Sequence, residues 1–119
     1  MQNFRNLLVW QRAQDLAARV YGATQRLAGA DARGPRSQLR RSASSIAANI
    51  AEGAVSTSPR QFARYLEMAI GSASETESHL DFMERIGLLH PSEARPLMSE
   101  AVQTRRMLIA LRRRVLEGV

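Results

Sequence analysis

Arginine is where this chain concentrates its chemistry. All 17 of its strongly basic side chains are arginine, against 11 carboxylates, which gives a formal net charge of +6. A guanidinium is planar, permanently charged and shaped for bidentate contact with phosphate or carboxylate. Arg40 and Arg41 stand with Arg36 in the run RSQLRR, and Arg105, Arg106, Arg112, Arg113 and Arg114 crowd the last stretch. Arg40, Arg41 and those C-terminal arginines are the candidates for contact with an anion. A basic excess of this kind points to a polyanionic partner, RNA or DNA among them. The competing reading is a solvated surface whose arginines form salt bridges within and between subunits.

Other reactive groupings are sparse. Asn49, Glu52 and Gly53 close the segment QLRRSASSIAANIAEG. They read as a polar network that ends a helix, ahead of any ligand site. A buried asparagine there must be hydrogen-bonded, because an unpaired buried polar group costs about 1–3 kcal/mol. Glu75 and His79 have helical spacing, but a carboxylate-bridged metal bundle needs glutamates from several helices and a Glu-x-x-His pair. No cysteine is present, which removes disulfides and thiolate metal sites. No Ser-His-Asp arrangement and no phosphate-cradling glycine loop is evident. The expectation is therefore a protein without cofactor or metal that is not an enzyme. An enzyme with a site unrecognisable from sequence is the remaining alternative.

These side chains must be held by helices. The chain has 119 residues, the size of one domain, 1–119, and it is 45% hydrophobic with few glycines and prolines. Apolar residues recur at steps of three and four, and four segments carry that pattern, at about 4–28, 36–52, 59–86 and 96–116. In the first, Leu7, Trp10, Gln14, Ala17, Tyr21, Thr24 and Ala28 form the stripe, widened by Leu8, Leu16, Val20 and Leu27, with Trp10 and Tyr21 at the core edge. In the second, Leu39, Ala43, Ile46 and Ile50 are the core, and small residues between them let another helix approach. Gly53 reads as a residue of positive φ just past the helix end. Ser58-Pro59-Arg60-Gln61 predicts an N-cap and capping box worth about 1 kcal/mol. The third stripe is Phe62, Leu66, Ala69, Ala73, Thr76, Leu80 and Met83, and the small stretch Ala69–Ser74 is expected to meet the small face of the second helix. Its second half is acidic and offers counter-charge to arginines elsewhere. Gly87 ends it. The fourth stripe is Leu97, Ala101, Thr104, Leu108, Leu111 and Val115. The fold class is all-α, an antiparallel up-down four-helix bundle. No signal peptide or membrane span is evident, so a cytoplasmic protein without membrane contact is expected.

At the second helix the sequence resembles the four-helix-bundle proteins related to those encoded by 23S ribosomal RNA intervening sequences. Phe4, Leu7, Val9, Trp10 and Gln11 match its opening. The strongest match is Gln38 to Arg41, Ser44 to Ile46 and Asn49 to Gly53. Phe62, Tyr65, Leu66, Ala69, Gly71, Ser72 and Glu75 match the third helix, and Arg106-Met107-Leu108 the fourth. Ala47 stands where that family often has proline, which implies a straighter second helix. The run after Gly53, AVSTS, replaces an arginine-containing segment. The resemblance implies a bundle assembled into a ring-like homo-oligomer, a pentamer. It is distantly similar to accessory proteins of diversity-generating retroelements, which implies nucleic acid or a nucleic-acid-processing protein as partner. Without such a partner, the alternative is a purely structural or protein–protein interaction oligomer.

Overall fold

The computed structural model describes residues 3–119. A short 3-10 turn, Phe4–Asn6, leads into four helices: α1 Leu8–Thr24, α2 Ala30–Ala54, α3 Pro59–Arg85 and α4 Pro91–Glu117. They form a slender body of 48 × 19 × 19 Å. Each helix packs on the next in sequence, and α1 also packs on α4, so the four close into a bundle. Leu16, Leu39, Ile46, Ile50, Leu66 and Leu80 are fully buried on its axis. Ala13, Ala43, Ala69, Ala73 and Ala101 are buried between them, and such small side chains let the helices approach closely.

Helix ends follow local chemistry. Ser58 caps α3 by accepting a hydrogen bond from the Gln61 amide at 3.3 Å. The return half of the expected capping box runs through a third residue. Ser56 donates its hydroxyl to Gln61 Oε1 at 3.1 Å, and its oxygen accepts from the Ser58 amide at 3.1 Å. At the far end of α3, Gly87 takes φ +78°, as expected of a helix-closing glycine. The Leu88 amide donates to the Met83 carbonyl at 2.9 Å and the Gly87 amide to that of Glu84 at 3.1 Å, a Schellman closure.

Three boundaries differ from the sequence reading. The first helix is interrupted at Leu7, whose backbone is extended, and it ends at Thr24. α2 starts at Ala30 and carries Pro35 inside it. The extra turn forms because Ala32 is buried on the bundle, and Asp31 in the first turn suits the positive end of the helix dipole. α4 starts at Pro91, with His90 as its cap: the Ser92 amide donates to His90 Nδ1 at 3.1 Å. Burial of Ala94 ties down that first turn, and Pro96 lies inside the helix.

The core stripes of α2, α3 and α4 are as the spacing predicts, with Leu111 and Val115 only partly buried. That of α1 is rotated. Its buried residues are Val9, Ala13, Leu16, Val20 and Thr24: Leu16, Val20 and Thr24 are inside as expected, but the centre of the face lies one position, or about 100°, from Trp10, Gln14, Ala17 and Tyr21. Gln14 and Tyr21 therefore face outward, and Tyr21 is 52% exposed.

Candidate nucleic-acid interface

While Arg19, Arg60 and Arg64 are exposed elsewhere on the surface, the arginines that line the helix seams differ in their partners. Between α3 and α4 they are neutralised. Arg95 reaches Glu84 at 3.2 Å, Arg105 reaches Glu77 at 2.7 Å, and Arg112 reaches Glu67 at 3.4 Å. Arg112 also donates to the Ala63 carbonyl at 3.1 Å. The seam between α1 and α4 is similar. Arg12 grips Glu100 through Nε at 2.8 Å and Nη2 at 3.0 Å, and Arg26 pairs with Glu93. The hydrogen bond from Arg26 holds the Glu93 carboxyl below the usual carboxylate range. The expected pairing of acidic α3 with basic α4 is thus made inside one chain. It engages Arg105 and Arg112 and leaves Arg106, Arg113 and Arg114 exposed on α4.

The α1/α2 side has another character. Arg40 lies over the ring of Tyr21, 4.0 Å from its centroid. Its Nε donates to Thr24 Oγ1 at 2.9 Å and its Nη2 to the Tyr21 carbonyl at 3.4 Å. Arg36 donates to the Leu27 carbonyl. A helix starting at residue 36 would set these cations against the positive end of its dipole. With α2 starting at Ala30, they sit beyond its first turn and against the C-terminal end of α1, where cations are favourable. Arg33 and Arg41 are exposed beside them. Together with Tyr21, Ser37 and Ser44 these four arginines line an open groove of about 490 Å³.

A second groove of about 360 Å³ continues along the same seam, with Ser44 common to both. It is lined by Arg5, Gln14, the aromatic pair Phe4 and Trp10, and the small side chains of Ala48 and Ala51. The two rings meet edge to face with centroids 5.0 Å apart. Among the described residues, no carboxylate lines either groove.

Asn49, Glu52 and Gly53 do three separate things. The Asn49 amide donates to the Ser45 carbonyl one turn back, at 2.9 Å. Glu52 is exposed. Gly53 is helical and does not have positive φ; it is buried against α3. A Cβ added there would stand 2.7 Å from Tyr65 Cβ and 2.9 Å from Phe62 Cδ1, so glycine serves the close approach of two helices. The small face of α2 does meet that of α3. Ser45 donates to Ser72 at 2.6 Å and Thr76 to Ser42 at 3.0 Å. Gly71 and Ser74, expected at this contact, are exposed instead.

Glu75 and His79 stand 4.0 Å apart on one face of α3, and no group of three or more metal-ligating side chains occurs among the described residues. Nor is any helix there long and apolar enough to cross a membrane. Sequence reasoning missed Arg33; Trp10 lies at the core edge as expected and also lines a groove, whereas Tyr21 is 52% exposed. The steps of Val9, Ala13, Leu16 and Val20 form a purer apolar stripe than Trp10, Gln14, Ala17 and Tyr21.

An elongated all-α four-helix bundle defines the class. Residues 5–110 match the model of the 23S rRNA-intervening sequence protein family, and the chain belongs to that family. Its fold is similar to a crystal structure from Bacteroides thetaiotaomicron, a protein of unknown function from the S23 ribosomal protein family. The TM-score is 0.79 at 22% identity, covering 87% of this chain and 97% of that one. No curated protein matches the chain.

Proposed function

We propose that this protein is a non-enzymatic nucleic-acid-binding bundle whose contact surface is the α1/α2 seam. The observation that carries the reading is charge compensation. Arginines facing α3 have carboxylate partners, whereas the grooves holding Arg5, Arg33, Arg36, Arg40 and Arg41 contain none. Uncompensated guanidiniums along a groove suit a phosphate backbone, and contacts of that kind are largely independent of sequence. Arg41 keeps its sequence-predicted role, and Arg40 contributes from its seat on Tyr21. Arg106, Arg113 and Arg114 form a second, smaller basic surface. The distant resemblance to retroelement accessory proteins is compatible with a nucleoprotein partner.

We further propose the ring-like homo-oligomer, a pentamer, as the working form in the cytoplasm. Its support in this chain is the exposed apolar surface of α3 and α4, where Met68, Phe82, Ile109 and Leu116 are 50%, 51%, 42% and 38% exposed. Contact between copies through those faces would leave the α1/α2 seam open.

The test is binding of labelled RNA and DNA as salt is raised. About four phosphate contacts per site predict a log–log slope of about −3, or about a fiftyfold loss of affinity from about 50 to about 200 mM salt. Flat binding, or none at low salt, overturns the proposal and leaves the purely structural oligomer. Mass measurement on the same sample tests the assembly.

A further inference from the structure

The α1/α2 seam changes character along its length, and that change bears on which form of nucleic acid it takes. At one end lie Arg33, Arg36, Arg40 and Arg41. At the other lie Trp10 and Phe4, beside a shelf of Ala48 and Ala51 with only Arg5 for charge. Between the ends stands Ser44, common to both grooves. The α2 residues from Arg33 to Ala51 span about 27 Å at 1.5 Å per residue. That is the length of about eight nucleotides at the 3.4 Å rise of one stacked strand.

A polyanion without bases would use only the arginine end. A duplex meets the same limit, because its bases are stacked inside it and it offers this seam little beyond phosphate. A single strand offers both things the seam displays: phosphates for the guanidiniums and open base faces for the aromatic end. Base–aromatic stacking contributes whatever the sequence, since every base has a π-face. Trp10 is partly buried, edge to face with Phe4, and lines the groove beside two alanines, and Tyr21, already carrying Arg40 on its ring, is 52% exposed at the other end. Resting on the nucleic-acid reading of this seam, we infer that its ligand is a single strand, held by phosphates at Arg33, Arg36, Arg40 and Arg41 and by a base stacked at Trp10.

Trp10 is the only tryptophan in the chain, so its emission reports on this contact alone among tryptophans. The experiment titrates the intact protein at low salt with a 12-nucleotide RNA strand, the same strand as DNA, the matching duplex and inorganic polyphosphate. Binding is read by competition against a labelled strand, and stacking by Trp10 quenching. The expected result is that the RNA or the DNA strand binds at least tenfold more tightly than the duplex and quenches Trp10, whereas polyphosphate binds without quenching. A Trp10→Leu protein that keeps its helical circular dichroism should bind the strand at least fivefold more weakly, with an unchanged salt slope. A strand that binds without quenching, or a duplex that binds as well, overturns the single-strand inference and leaves the nucleic-acid reading standing. Failure of every nucleic acid to bind at low salt overturns both.

Discussion

The α3/α4 seam and the α1/α2 seam are built from the same few residue types, yet they handle charge in opposite ways. In the first, arginines sit across from glutamates and the pairs close upon themselves. In the second, Arg36 and Arg40 turn to backbone carbonyls and to Tyr21 while Arg33 and Arg41 face solvent. A carbonyl offers a guanidinium a partner but does not cancel its charge. An arginine-rich composition is thus ambiguous until each cation is matched to its neighbours. Among the described residues, the matching leaves the α1/α2 grooves without a lining carboxylate, while Arg60, Arg64, Arg106, Arg113 and Arg114 stand exposed on α3 and α4.

The comparison breaks most decisively through binding. Replacing Arg33 and Arg41 together by glutamate should lower nucleic-acid affinity by about a hundredfold at low salt and flatten the salt dependence, as measured by anisotropy. Arg105→Gln with Arg112→Gln should change affinity less than threefold. Equal losses from both pairs would erase the distinction between the seams. Thermal and urea unfolding should sort the same residues differently. Arg40→Ala removes the cation over Tyr21 and the bonds to the C-terminal end of α1, and should destabilise the fold by about 2 kcal/mol. Arg40→Lys should recover only part of that, since an ammonium cannot supply the planar fork. Single truncation of Arg105 should be milder, at most about 1 kcal/mol, because its pair is partly solvated.

The smallest effect concerns acid. Arg26 holds the folded Glu93 carboxyl below its ordinary 4.5, chiefly by a hydrogen bond. A depressed carboxylate stabilises the fold fully above the unfolded value and loses that contribution as pH falls through the folded one. Melting temperatures near neutral pH and well below 4.5 should therefore differ slightly less for Glu93→Gln than for the parent protein.

Much of this bundle was legible in its residues, for reasons that the misses clarify. The stripes of α2, α3 and α4 are long, and their large apolar residues fall on one face, as at Leu39, Ile46 and Ile50. Ser58 and Gly87 act through short-range geometry that sequence displays directly. The starts of α2 and α4 were hidden because Pro35 and Pro96 stand next to or at the expected bounds, 36 and 96, whereas burial of Ala32 and Ala94 carries each helix further back. In α1 the apolar residues spread over two adjacent rows; Trp10 stays at the core edge, whereas Tyr21, with its polar hydroxyl end, is 52% exposed. Gly53 was misread because a helix-closing glycine and a glycine at a close helix contact look identical along the chain. The candidate seam was legible only as a charge excess. Its partners come from α1, across a loop whose length the misplaced start of α2 had altered.

One further consequence follows from the hydroxyl contacts between α2 and α3. A stripe that alternates steps of three and four nearly repeats every seven residues, so two such helices could slide by about 10.5 Å and still bury apolar surface. The bonds of Ser45 with Ser72 and of Thr76 with Ser42 forbid that. After such a slip Ser42, Ser45 and Thr76 would keep only the carbonyls of their own helices, and Ser72 would lose the bond from Ser45, at about 1–3 kcal/mol if left unsatisfied. Gly53 is a second index mark, since only there does the backbone of α2 leave room for Tyr65 and Phe62. These marks work as a vernier that fixes how far α2 extends along α3, and with it where Arg33 and Arg41 stand on the surface of the assembled bundle.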